Sequence, residues 1–448
     1  MIQSALPIEV PELMEAVAVP GNSSEIRVRK PVRNQVEMVL RDLDSVIGAD
    51  HPVRAIWGFL SRLDLEAFYG SIRAVLGKPG RPASDPQVLL ALWIYGTAEG
   101  VGSARRLARL SEEHDAYRWL RGGVPVDYHL LAEFRVVHQK EMDDLMTQII
   151  AVLMKKDLVQ LKRVSQDGLR VRASAGGGSF HRERTLRQCL AEAQEQLKRV
   201  AEEREHPDSG GSRREKAARE RAAREREERV AEALRELPKI QEIKERQKKR
   251  AGKKRVARMG EARVSTTDPI ARNMKMPDGG FRPAYNMQFA TDTGSQVIVG
   301  VAATNQGTDQ GQALGMEEQV EQRTGKRPDD YLIDGGFIDL NDIAVLEGKG
   351  VTVYAPPRDN VKRVVSYGYG AAASKEVAAW RERMQTEPAK TVYKERAATS
   401  ECVNAQMRSR HGLNQFTVRG LSRVLCVTLL AALTHNLLRW ISLTGVAA

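Results

Sequence analysis

Apolar positions between His51 and Lys140 recur at helical spacing, with Ile56, Phe59, Leu60, Leu63 and Phe68 near a 3.6-residue period. The break KPGRPASDP resets the pattern: Ser84 or Asp85 supplies a cap, Pro86 suits a first helical turn, and Val88, Leu89, Leu90, Leu92, Trp93 and Ile94 follow. Two more amphipathic stretches, ARRLARLSEEHDAYRWL and LLAEFRVVHQKEMDDLMTQIIAVLM, complete an all-helical domain over residues 51–155. Residues 1–50, polar with scattered prolines, read as a partly ordered lead-in.

Extended chain is predicted next. LVQLKRVSQDGLRVRAS is β-branched, MQFATDTGSQVIVGVAATN is two runs about a turn at Asp292, Thr293 and Gly294, and YLIDGGF and VTVYAP are short apolar runs ended by Gly or Pro. QGQALGMEEQVEQRTG and DLNDIAVLEGKG between them are helical. An antiparallel start followed by strand, helix, strand predicts a mixed sheet with helices on its faces over residues 156–448. After its first strand this domain is interrupted by a charged stretch, 182–262. Leu186, Leu190, Ala193, Leu197 and Val200, then Val230, Leu234, Leu237 and Ile240 beyond the breaker HPDSGGS, form two seams of an antiparallel helical hairpin.

Charge sharpens this picture. The net charge is +12, and residues 181–260 hold 25 Lys+Arg against 16 Asp+Glu, so nine of the twelve lie there. Such an excess points to a polyanionic partner; from the charge run alone the hairpin is either a solvated helix pair or a DNA-gripping arm. Aromatic residues at 5% do not suggest extensive base stacking on exposed rings. Cys189, Cys402 and Cys426 have neither disulfide-framework nor zinc spacing, which fits a reducing cytoplasm. The N-terminus has no basic segment leading into an apolar core, so secretion is not indicated. Val424–Leu438 is apolar but contains His435 and Asn436 and falls short of the roughly 20 residues of a membrane span, so it is expected as a buried helix and no membrane partner is expected.

Phosphodiester chemistry is most simply run by two divalent cations held by carboxylates. Three acids are candidates. Asp167 lies inside the first strand run, although Asp167-Gly168 also reads as a hairpin turn. Asp334 ends the run Tyr331, Leu332, Ile333, where open sheets bind ligands, although Asp-Gly is commonly a turn. Glu401 lies on a helical stretch that would otherwise be an exposed amphipathic helix. Asp268, Asn286 and Asp309 read first as capping or turn residues that could support such a site. Arg81 in the KPGRP break could enter a minor groove, although Gly and Pro there more simply separate two helices.

Several ordered blocks carry a resemblance over about His51–Arg439: GRPASDPQVLLALWIYG, VSQDGLRVRASAGGGSF, STTDPIARNMKMPDGGFRPAYNMQFATDTGSQVIVG, YLIDGGF, VTVYAPPR, YKERAATSECVNA and LTHNLLR. The chain resembles the DDE transposases of bacterial insertion sequences, specifically the IS1182 group within the IS5/IS4-like assemblage. The resemblance implies an N-terminal helical DNA-binding domain and an RNase H-like catalytic domain in which Asp167, Asp334 and Glu401 are the catalytic and metal-binding triad. It implies two Mg²⁺ ions, with Mn²⁺ as a substitute. Water would nick the transposon end, and the freed 3′-hydroxyl would attack target DNA with no covalent enzyme intermediate. Double-stranded DNA, as terminal inverted repeats and target, would be the partner, with a homodimer on paired ends in a bacterial cytoplasm, nucleoid-associated when bound.

One spacing departs from the related signature of Tyr, Arg, Glu and Lys separated by two, three and six residues. Tyr393 and Arg396 fit, but four residues precede Glu401. On a continuous helix at about 100° per residue, Arg396 lies roughly 140° from Glu401, whereas Arg408 and Lys394 lie within about 20° of it. Arg408 is therefore expected to replace the signature Lys as phosphate contact, with Lys394 a further candidate; Arg396 keeps its role only if the helix begins late or bulges. Two other classes of function stay open: a non-catalytic DNA-binding protein, and a metal nuclease without strand transfer.

Overall fold

Helices arise where capping chemistry and apolar spacing coincide. In the computed structural model, which describes residues 34, 38, 40–74, 77, 81–205, 212–250, 260–357 and 374–445, α1 (Pro52–Leu60) starts with the His51 ring accepting from Val53 N at 3.2 Å. The chain then breaks over residues 61–65, so the apolar period through Phe68 is two helices, α1 and α2 (Glu66–Tyr69), rather than one. Asp85 caps α3 (Pro86–Ala98) by accepting from Gln87 N at 2.8 Å, with Pro86 in the first turn as its spacing predicts. Ser103 and Asp127 cap α4 (Ala104–Glu113) and α6 (Tyr128–Val137); α5 (Asp115–Arg121) lies between them and ends on Gly122 at φ 56°, and α7 (Gln139–Lys155) follows. Most of the lead-in, residues 78–80 of the break, most of HPDSGGS and the last residue of VTVYAPPR lie outside the described residues.

The sheet begins with β1 (Arg163–Arg172). Two short strands, β2 (Phe180–His181) and β3 (Val264–Ser265), pair antiparallel and bracket α8 (Glu183–Glu205) and α9 (Arg213–Arg250). Gln196 meets Arg226 at 2.6 Å, while Leu186 clusters with Leu237 and Ile240, so these helices run antiparallel. Then come β4 (Arg272–Lys275), β5 (Phe281–Asp292), β6 (Ile298–Thr304), α10 (Ala313–Thr324), β7 (Asp330–Leu332), α11 (Leu340–Gly348) and β8 (Thr352–Tyr354). On one edge β5 pairs antiparallel with β1; on the other it pairs with β4 and then β6. Beyond β1, β7 and β8 add in parallel. The result is the expected mixed sheet.

The C-terminal segment contributes α12 (Lys375–Arg383), α13 (Glu387–Arg396), α14 (Cys402–Ser409) and α15 (Leu421–Thr444). Among the described residues α15 is the one helix long and apolar enough to cross a membrane, yet 72% of its most apolar window is buried. It packs on α3, α6, α7 and β6, joining the helical region and the sheet in one hydrophobic core. Leu43–Ala448 accordingly forms one unit, and Met1–Asp42 is a separate one. The polar groups on α15 are satisfied within the core: Asn436 accepts from Ile298 N and donates to Ile298 O, both at 2.8 Å, and the His435 ring lies 2.8 Å from Gln296 O.

Asn436 thus acts as a short strand on the open end of β6. Asn436→Leu strands a buried N–H and a buried C=O, each costing roughly 1–3 kcal/mol, so a loss of about 2–4 kcal/mol is expected in urea unfolding. Unchanged stability would show that Ile298 finds other partners.

Candidate active site

Asp167 is a strand residue. With Gly168 it lies in the middle of β1, opposite Phe289 and Gln288 of β5, which removes the hairpin-turn reading of this pair. On the other side Ser165 pairs with Leu332 in parallel register, so two residues further on Asp167 stands beside Asp334, just past the carboxyl end of β7. Asp334 Oδ1 also accepts from Gly336 N at 2.6 Å, so the turn it makes and the place it occupies are compatible.

Asp167 is largely enclosed. Burial pushes its carboxyl pKa up, the Arg396 guanidinium and the Gly168 N–H draw it back, and the charges of Asp334 and Asp309 raise it again. Its Oδ1 lies 3.1 Å from Arg396 Nη2 and accepts from Gly168 N at 2.9 Å, while Oδ2 accepts from Asn404 Nδ2 at 3.1 Å. Tyr393 is half-buried; burial pushes its hydroxyl pKa up, Arg396 offsets this, and Asp334 and Asp167 reinforce it. These four side chains share one electrostatic neighbourhood.

The segment from α13 to α14 lies along β1. Glu395 pairs with Arg163 at 2.6 Å, Ser400 Oγ meets Ser165 Oγ at 2.6 Å in the interior, Asn404 reaches Asp167, and Arg408 donates to Arg170 O at 3.3 Å. Between the two helices, Ala397–Glu401 forms a π turn. A π turn takes up one residue more than an α turn, so positions five apart assume about the relation of positions four apart, roughly 40° instead of 140°. The helix therefore bulges where the spacing has its extra residue, and Arg396 faces the acids. The same insertion turns Lys394 away from Glu401; Lys394 is exposed, and the alignment reckoned for a regular helix does not hold.

Glu401 ends the π turn as an exposed side chain beside buried Ser400. Asp167 and Asp334 are brought together, whereas among the described residues no three of His, Cys, Asp or Glu stand close enough to hold a metal. In kind the donors fit a hard divalent cation, being carboxylate oxygens. The positive charge beside them here is the guanidinium of Arg396.

Two supporting residues take different places. Asp268 is buried away from the acids, accepting from Tyr285 Oη at 2.7 Å and Gly420 N at 3.3 Å, a structural tie. Asp309 stands at the site: its Oδ1 accepts from Asn286 Nδ2 at 2.6 Å and Gln288 Nε2 at 2.7 Å, above Gly168. The turn reading of Asp309 understated it; the available signal was a glycine directly after a strand acid.

Comparison with known proteins gives two family matches. Residues 358–441 match a transposase DDE domain, which includes Glu401 and its helix, and residues 41–136 match a transposase domain, DUF772, which covers most of the N-terminal helices. No curated protein and no solved structure matches the chain.

The Asp167–Arg396 pair sets a pH dependence. The folded pKa of Asp167 lies above its unfolded value, so its ionisation opposes folding: stability present at acid pH is lost as pH rises through the folded pKa. Arg396→Met removes the offsetting cation and should raise that pKa further. A loss of about 3 kcal/mol is expected at neutral pH, shrinking at acid pH where the carboxyl is protonated. Carboxyl ¹³C titration and urea unfolding at both pH values test this; a pH-independent loss would mean that Arg396 only packs.

Proposed function

We propose, from the premise that the two matched domains indicate a DNA transposase of the DDE family, that this chain cleaves DNA at transposon ends and joins them to target DNA with Asp167, Asp334 and Glu401 as its acidic triad. The observation that carries the reading is the parallel register that sets Asp167 beside Asp334, with the helix of Glu401 laid along the same strand. The order of the six-stranded sheet, with β4 and β6 both paired antiparallel to β5, β5 antiparallel to β1, and β7 and β8 added in parallel beyond β1, supports an RNase H-like domain. The finer placement in the IS1182 group rests on the sequence blocks.

Bound divalent cations, Mg²⁺ or Mn²⁺, would activate the attacking oxygen and stabilise the leaving one. Asp167 and Asp334 would hold them from the sheet and Glu401 from the helix. The chain's own side chains do the rest. Arg396, from the same turn as Glu401, balances the negative charge gathered at Asp167, and Arg408 holds the helix to β1. Tyr393 adds a half-buried hydroxyl that feels the charges of both Asp334 and Asp167. The basic hairpin α8/α9 and the N-terminal helices would engage the phosphate backbone, so binding should weaken steeply with salt. A homodimer on paired ends, working in a bacterial cytoplasm, completes the reading.

A second reading is a DNA-binding protein without cleavage. It draws on the engagement of both Asp167 oxygens by Arg396 and Asn404. A nicking assay on end DNA, with an EDTA control, separates the two.

Asp167→Asn, Asp334→Asn and Glu401→Gln should each lower cleavage by at least about a hundredfold, the scale on which removal of a preorganised electrostatic partner acts, while end binding measured by gel shift stays within a few fold. Full cleavage by any one of these purified variants in Mg²⁺ removes that residue from the triad.

A further inference from the structure

We propose that Asp309 is a positioning residue of the acidic centre: its charge, delivered through the gap left by Gly168, strengthens divalent-cation binding at Asp167. This rests on the reading of Asp167 and Asp334 as metal-facing acids. A Cβ at residue 168 would fall 2.2 Å from Asp309 Oδ1, 2.9 Å from Asn286 Oδ1 and 2.9 Å from Gln288 Nε2. The strand therefore forgoes a side chain beside its acid to admit a second carboxylate.

The support beneath Asp309 is built across three strands. Gln288 and Asn286 lie on β5 opposite Gly168 and Arg170 and are fully buried. Gln166 donates to Gln288 Oε1 at 3.0 Å, and Tyr331 Oη donates to Gln166 Oε1 at 2.8 Å. This buried chain, from β7 through β1 to β5, orients the amide of Gln288, which donates to Asp309. Both amides donate to one oxygen of Asp309; its other oxygen is ion-paired with Arg170 at 3.7 Å, a partly exposed contact too long for a hydrogen bond. Buried Asn286 keeps its own Oδ1 without a partner, facing the gap at Gly168. Holding a loop would require only that Asp309 accept hydrogen bonds. A carboxylate that stands over Gly168 and whose charge acts on Asp167, beside an orphaned amide oxygen, is suited to a cation.

Asp309→Asn distinguishes the two roles, because an asparagine carbonyl accepts from the same two amides and lacks only the charge. The probe is Mn²⁺ alone, titrated into the full-length chain and read by calorimetry and water-proton relaxation, with thermal unfolding in EDTA as the fold control. Outer carboxylates that support a metal typically contribute tenfold to a hundredfold in affinity, so Asp309→Asn should weaken Mn²⁺ by at least about tenfold while its melting in EDTA is unchanged. Gly168→Ala, which displaces Asp309, should weaken Mn²⁺ to a similar degree. Wild-type Mn²⁺ affinity in Asp309→Asn, with binding lost in Asp167→Asn, overturns the role of Asp309 alone. Retention of binding in Asp167→Asn, or no binding by the wild-type chain, overturns the reading of the centre together with it.

Discussion

A carboxylate set into the middle of a sheet must be compensated, and the arrangement around Asp167 follows from that requirement. Burial and two neighbouring acids push its pKa up, and a single guanidinium, one backbone N–H and one side-chain amide draw charge back out. Two of these three partners, Arg396 and Asn404, come from one helical segment, so the strand acid and that segment locate each other. The same segment carries Glu401. Satisfying Asp167 therefore also brings the third acid of the proposed triad alongside the sheet, and a cation arriving there would meet oxygens already gathered against their mutual repulsion.

The π turn lets one helix meet these demands together. Ser400 must reach Ser165 in the interior, Asn404 must reach Asp167, and Arg396 must reach the same carboxylate from the turn before. Arg396 and Asn404 are eight residues apart. In a regular helix that is roughly 80° past two full turns, too far around for both to address one group squarely; with one residue absorbed by the bulge it becomes about 20° less than two turns. The extra residue between Arg396 and Glu401 is thus what aligns two donors on one acid. The extra residue that departs from the signature spacing is absorbed by the π turn, which leaves Arg396 on Asp167.

Local chemistry was legible where it is local. Asp85 and Pro86 announced α3, the period of Leu186 and Leu237 announced an antiparallel pair, and Asn436 on an apolar helix read as a satisfied core group. Asp167 was legible as an acid in a strand, but the choice between strand and turn depended on β5, more than a hundred residues on. The π turn was stated only as a condition, because Ala397–Glu401 has nothing in its composition to set a bulge; contacts with Ser165 and Asp167 set it. Asp309 was legible only as a turn residue that could support the site, because its place depends on the missing Cβ of Gly168, far away in sequence. The packing of α15, last in the chain, among the N-terminal helices was not legible, because it joins segments several hundred residues apart.

The charged insertion is not a loose appendage to this centre. Glu236, nearly buried on α9, pairs with Arg272 of β4 at 2.5 Å and with Lys239 at 2.6 Å, and Arg272 also caps the carbonyls of Pro269 and Ile270. β4 pairs with the first residues of β5, and β5 carries Asn286 and Gln288, the two amides that hold Asp309. Through Arg272 and β4 the hairpin is thus referenced to the strand that supports the acids. The insertion, placed between the first two long strands of the sheet, is therefore held by the same β4–β5 pairing that leads to the amides of Asp309, one strand away from Asp167.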